Sequence, residues 1–516
     1  YQYSAGGFLT NRRVYNSDNT YDEWRFLVNE FGQTTEVREP SGSISRITYD
    51  EVKGVPTQLS AEGVVNGVTT TQTTTIAYAP VSINGQSVQV GLPTSMTLPD
   101  GTVLTQSYDS RGYPSVTTMD AGSGRLNLTE TSVFDGRGFL TSSVDVRGVR
   151  TNYEYANNPA LGQFGNLGIP SAMVFDTQGV NGFSARNIRT EYTYDAKLNP
   201  TRIVEDAGAG RKNATTLLSW AMVGTEGEYA LTQGSNALNR QFRLEYDGFG
   251  QLAKMIEVGA RTTASNNLVT CSGSTEARAN ATDRVTRVCY TPEGWVQKSI
   301  LDDGRISATL DYAGFGDGLA RAFTDARGVR TQLTYDQKGR LSGVRLGTAG
   351  FTENGQTLPA INGELSYTYD GNDRLTQLRQ KVDASNWRTL VSYQYDGLGR
   401  LQSETDAAGS RTDYSYTNRN FLSQIVSGAQ HTGSTAGEKI LTQFNYDRLG
   451  RIVNRRLDPN GKNLTHSYVY AGTDRWLPNS MVDANGNATQ YRYNAFGRIE
   501  QITDALNSSW FYSTDN

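Results

Sequence analysis

The chain has 516 residues, with 48 Lys and Arg against 52 Asp and Glu, so a net charge of -4 sets up no field that would draw it to nucleic acid or an anionic membrane. Hydrophobic residues make up only 36%, low for a solid globule of this length, while 10% aromatic content is too high for a disordered chain. No run of about 18 apolar residues exists, which excludes a transmembrane helix in this segment.

The chain opens at Tyr1 and Tyr3, two apart as on one face of a strand. It begins without Met and closes at Trp510 and Tyr512, so it reads as a segment of a longer polypeptide. Two kinds of turn then alternate. The first has Asp135 with Gly138, Asp247 with Gly250, Asp336 with Gly339 and Asp447 with Gly450, each followed within two residues by Leu or Ile. The second has Asp145 with Gly148, Asp325 with Gly328 and Asp483 with Gly486, each with a Thr three positions on, at Thr151, Thr331 and Thr489. The clearest unit is YQYDGLGRLQSETDAAGSRTDYSY from Tyr393 to Tyr416, which reads as two strands and two turns. Repeats of about 20 to 30 residues mark an array, and helical periodicity is nearly absent, so the expected fold is all-β.

The phrase breaks near 60–95, 157–190, 206–240, 260–285, 343–363 and 426–440. These segments are rich in Gly, Thr, Asn and Ser and are expected to extend the hairpins and to carry partner specificity. No linker composition separates them, so residues 1–516 read as one continuous repeat domain.

The pattern YxYDxxGRLxxxxDxxGxxTxYxY resembles the YD repeats of the Rhs proteins. That family includes bacterial polymorphic toxins, the shell-forming subunits of Tc toxin complexes, wall-associated repeat proteins and the animal teneurins. The resemblance covers about three quarters of the chain. It implies antiparallel hairpins in a long sheet that spirals into a hollow shell. The family's self-cleaving core motif is not matched: Asp458, Pro459, Asn460 and Gly461 come nearest, but no second Asp follows at the needed spacing.

No other constellation carries chemistry. His431 and His466 stand far apart, the serines and threonines form no GxSxG elbow, and an Asp at every turn argues for capping rather than acid–base work. Asp302, Asp303 and Gly304 offer calcium-type oxygens but follow no calcium-loop pattern, so neither metal nor cofactor is expected. Arg340, Arg400, Arg451 and Arg498 follow turn glycines and are expected to pair with turn aspartates. The tyrosines read as cross-strand packing, whereas Trp24, Trp220, Trp295, Trp387, Trp476 and Trp510 are not periodic. Cys271 and Cys289 flank a stretch without the phrase; they are either disulfide-bonded across it or two separate buried thiols.

The expected function is non-enzymatic: a section of a secreted or cell-surface bacterial β-shell that encloses and helps deliver a toxic polypeptide. An adhesion scaffold binding glycan or protein, or an extended extracellular fibre, is the alternative. The expected partner is an enclosed toxin domain or another protein, with glycan in the adhesion reading and no nucleic acid.

Overall fold

The computed structural model describes the chain except residues 17–19, 89–90, 156–166, 181, 261–266, 313–315, 348–350, 354–355, 359–362, 429–439, 472–475 and 513–516. Among the described residues there is no helix, and 39 strands form one antiparallel sheet. Strands pair with their chain neighbours: Trp387–Tyr395 with Leu401–Asp406, that strand with Arg411–Tyr416, and that one with Leu422–Ser427. The turns explain this meander. The Asp396 carboxylate accepts the Leu398 and Arg400 backbone N–H groups, both at 3.0 Å, and Gly399 takes the left-handed conformation at φ +83°. A one-residue register slip at Tyr395 recurs at Tyr369, Tyr416, Tyr446 and Tyr493, and such bulges bend and twist a sheet.

A meander places successive turns on opposite edges of the ribbon. The first edge carries turns such as 135–138, 247–250, 336–339 and 396–399, and the second carries 39–42, 98–101, 145–148 and 406–409. The ribbon closes on itself, because second-edge turns of the earlier coil touch first-edge turns of the later one across 314 to 348 residues. Lys338 reaches Asp22, Asn372 reaches Glu39, and Arg147 donates to the Ala495 carbonyl at 2.7 Å. Phe175 stacks on Phe496 with ring centroids 4.8 Å apart. At the long hairpin of Pro56–Val65 and Val68–Ala77, the Gly397 N–H donates to the Val64 carbonyl at 2.7 Å. Roughly two dozen strands at about 4.8 Å complete a coil, a circumference on the order of 115 Å that side chains alone do not fill.

The wall is one layer thick over most of its extent. The accessible surface is 29269 Å², against about 18,500 Å² for a compact monomer of this mass. Most strand residues are half-buried on both faces, as in Arg411–Tyr416 and Leu422–Ser427.

The irregular segments behave differently from one another. Those near 60–95 and 206–240 include extended hairpins, the latter pairing Ala214–Val223 with Glu228–Ser235. The 260–285 segment corrects the expectation of extension: its hairpin, Asn267–Val269 with Thr275–Ala277, folds back over the sheet, where Leu268 packs with Ile256 and Val285. Apolar residues on that face explain the fold-back, since extension would leave them wet. The 343–363 segment holds a short hairpin of Phe351–Glu353 with Gln356–Leu358, and most of 426–440 lies outside the described residues.

Coil contact gives the first prediction. A Cβ on Gly397 would lie 2.1 Å from the Val64 nitrogen, whereas Gly136, at the same turn position on an uncovered stretch, faces open space. Gly397→Ala should cost about 1–3 kcal/mol in chemical denaturation and Gly136→Ala less than about 0.5 kcal/mol.

Candidate functional site

The strand-end tyrosine of each repeat reaches back by one hairpin. The Tyr416 hydroxyl donates to the Leu401 carbonyl at 2.7 Å, Tyr395 to Leu375 at 2.9 Å, Tyr446 to Leu422 at 2.6 Å and Tyr470 to Ile452 at 3.0 Å. The same bond recurs from Tyr78 to Tyr493, and at Trp220 the indole N–H takes it over, donating to the Pro200 carbonyl at 2.9 Å. Arginine closes the link: Arg400 Nε bonds Asp396 at 2.7 Å while its guanidinium lies over the Tyr416 ring at 4.7 Å. Arg374 stands likewise over Tyr395 and Arg451 over Tyr470. Arg340, Arg400 and Arg451 therefore pair with turn aspartates as expected, with the Asp396 side chain only 3% exposed. Arg498 departs, because Asn494 replaces the Asp and accepts its backbone N–H at 3.1 Å.

These bonds shift the titrating groups in a consistent direction. The Phe139 backbone N–H, with Arg137, holds the Asp135 carboxyl at about 2. Burial raises Tyr395, Tyr416, Tyr446 and Tyr470, and burial with Glu404 beside it pushes Tyr414 to about 12.

The other singled-out residues are not brought together. Asp303 accepts from Arg305 within its own loop, whereas Asp302 accepts from Arg278 and the Val285 N–H and so ties its loop to the neighbouring hairpin and strand. No group of three or more His, Cys, Asp or Glu side chains converges among the described residues. Asp458 caps a turn through the Lys462 N–H at 2.8 Å, His466 sits in the strand Leu464–Val469, and His431 lies outside the described residues. Trp24 lies under Arg12, Trp295 against Tyr312 and Trp387 beside Arg379, while Trp510 is half-exposed. Trp295, Tyr312, Asp311 and Arg330 line a cleft of about 580 Å³.

Cys271 and Cys289 are joined, with Cα atoms 5.7 Å apart. Cys271 is at the tip of the fold-back hairpin and Cys289 in the strand Arg284–Tyr290, so the bond pins the hairpin across the wall. Arg278, its side chain 1% exposed, pairs with Asp302 at the hairpin's other end. Sequence reasoning missed a third turn, in which buried Asp120 and Asp206 take positive φ and the Asn127 and Asn213 amides clamp Gly122 and Gly208. Its signal was available as DAGSGRLN recurring as DAGAGRKN.

Removing one hydroxyl tests the tyrosine link: Tyr416→Phe should lose about 1 kcal/mol by denaturant titration, whereas Tyr3→Phe at an exposed position should be neutral. The pH dependence follows from the same groups. Raised tyrosines contribute stability that is complete below about pH 10 and lost as pH rises toward 12; lowered aspartates contribute stability complete above about pH 4 and lost as pH falls toward 2. Denaturation midpoints should therefore stay level between these limits and fall outside them, with tyrosinate absorbance appearing as the alkaline limb falls.

The RHS repeat model matches residues 369–411, 395–432 and 480–509. The chain is 28% identical over 256 residues to the probable deoxyribonuclease RhsA of Dickeya dadantii (strain 3937), covering 48% of this chain and 16% of that protein. It is 25% identical over 170 residues to teneurin-3 of Danio rerio, covering 33% of this chain and 6% of that one. It thus spans well under two thirds of these relatives. Among solved structures, the TcdB2-TccC3-Cdc42 crystal structure aligns with 96% of this chain and 31% of its own, at 13% identity and a TM-score of 0.38. With the YD phrase and its hairpin geometry, the matches place RHS repeats at residues 369–432 and 480–509 and make the chain similar to Rhs and teneurin proteins over the stretches they cover.

Proposed function

We propose that this segment is a structural section of an Rhs-type shell that encloses a toxic polypeptide and helps deliver it in bacterial competition or virulence. The observation carrying this reading is the closure of a single-layer ribbon on its own edge, seen in contacts such as Gly397 to Val64 and Phe496 to Phe175. A closed wall encloses cargo without a catalytic group, and the turn aspartates, arginines and tyrosines are already engaged in holding the wall. We assign it no enzymatic role. A relative named a probable deoxyribonuclease supports a toxic polypeptide as the cargo class. The Cys271–Cys289 bond supports a destination outside the reducing cytosol, secreted or at the cell surface.

Electron microscopy of the purified chain tests the enclosure. A hollow, closed-walled particle is expected, and a reporter polypeptide fused after Asn516 should resist protease. An open ribbon, or a reporter digested as fast as when free, would sink the proposal.

A further inference from the structure

The seam where the later coil meets the earlier one is built differently from the rest of the ribbon. Along the ribbon each strand is held to the next by a ladder of backbone bonds, as Trp387–Tyr395 is to Leu401–Asp406. Across the seam a single backbone-to-backbone bond forms among the described residues, from the Gly397 N–H to the Val64 carbonyl. The other contacts involve side chains. Most come from turn tips, the residues whose N–H bonds a capping side chain two positions back, as Lys338 does with Asp336 and Phe496 with Asn494.

These contacts are largely polar. Three ion pairs span the seam: Lys338 with Asp22, Arg419 with Asp100 and Arg186 with Glu500. Between them lie two amide pairs, Gln402 with Asn66 and Gln72 with Asn420, each at 2.8 Å. Phe175 on Phe496 adds an aromatic contact near one end. Ion pairs and exposed amide bonds hold weakly, and salt screens the charged ones, whereas a backbone ladder carries no net charge to screen. Both sides of the seam lie inside the chain, from Asp22 to Arg186 and from Lys338 to Glu500, so the contrast does not depend on what precedes or follows this segment.

We propose that this seam is the line along which the wall opens: the coils part there with every strand pair kept, and the enclosed polypeptide leaves through the gap. The inference rests on the shell reading above and adds the route of release. Parting the coils breaks scattered side-chain contacts and one backbone bond, whereas a gap anywhere along the ribbon unzips a whole ladder. Closed and open walls share all their ladders, so opening is a sub-global step that lies well below unfolding.

Hydrogen exchange on the intact chain, read at residue resolution, tests this. The Gly397 amide should be protected at low salt, and raising sodium chloride to about 1 M should speed its exchange by roughly tenfold while the amides of Arg411–Tyr416 keep their rate. Asp22→Asn with Asp100→Asn should produce the same acceleration at low salt. Asn66→Cys and Gln402→Cys joined by a short bismaleimide should abolish it; Cys271 and Cys289 are already bonded, so only the new thiols react. A reporter polypeptide fused after Asn516 should become protease-sensitive in step with Gly397 exchange, and the cross-link should keep it protected. A Gly397 amide that exchanges only together with the strand amides, or reporter release that the cross-link leaves unchanged, would overturn the proposal. A reporter digested at low salt while the Gly397 amide is still protected would instead overturn the enclosure on which the proposal rests.

Discussion

The bond on which the wall depends runs from the hydroxyl of a strand-end tyrosine to a backbone carbonyl one hairpin back. A single-layer sheet has no second layer to bury its faces, so lateral links must supply what a core supplies elsewhere. The backbone ladder between neighbouring strands stops short of the strand ends, and Tyr416 to Leu401 or Tyr395 to Leu375 ties the same two strands together beyond its last pair. The arginine between them doubles the link, held by Asp396 on one side and lying on the Tyr416 ring on the other. A neutral hydrogen bond contributes about 1 kcal/mol and a cation–π contact about 0.5–1 kcal/mol or more, small terms that add along an array of near-identical units.

The turns serve twice. Their capping Asp or Asn side chains end each strand, and the tip residue that such a cap orients meets the next coil, as Asn372 does beside Asp370 and Phe496 beside Asn494. Curling and stacking therefore come from the same few residues. This economy also accounts for the absence of converging titratable groups among the described residues, since carboxylates and guanidinium groups that neutralise one another in a wall are not available for chemistry.

The fold-back hairpin is the exception to the single layer. Leu268 covers Ile256 and Val285, Arg278 is buried against Asp302, and Cys271 ties the tip to Cys289. A second layer thus needs its own apolar contact, ion pair and covalent tie, where the rest of the wall manages with repeated lateral links.

The repeat unit was legible from local chemistry. Asp396 with Gly399 makes a turn wherever it occurs, and Tyr393 with Tyr395 alternates as a strand must, so strands, turns, their order and the Asp–Arg pairs could be read along the chain. The purpose of the tyrosines could not, because the acceptor is a backbone carbonyl that carries no side-chain signature. Trp220 shows the limit, substituting in the same bond under a different letter. The closure of the coil, the choice of Gly397 to meet Val64, and the folding of 260–285 over the wall were decided by tertiary structure alone. They depend on twist summed over more than 300 residues and on which faces remain wet, and neither quantity resides in any one repeat.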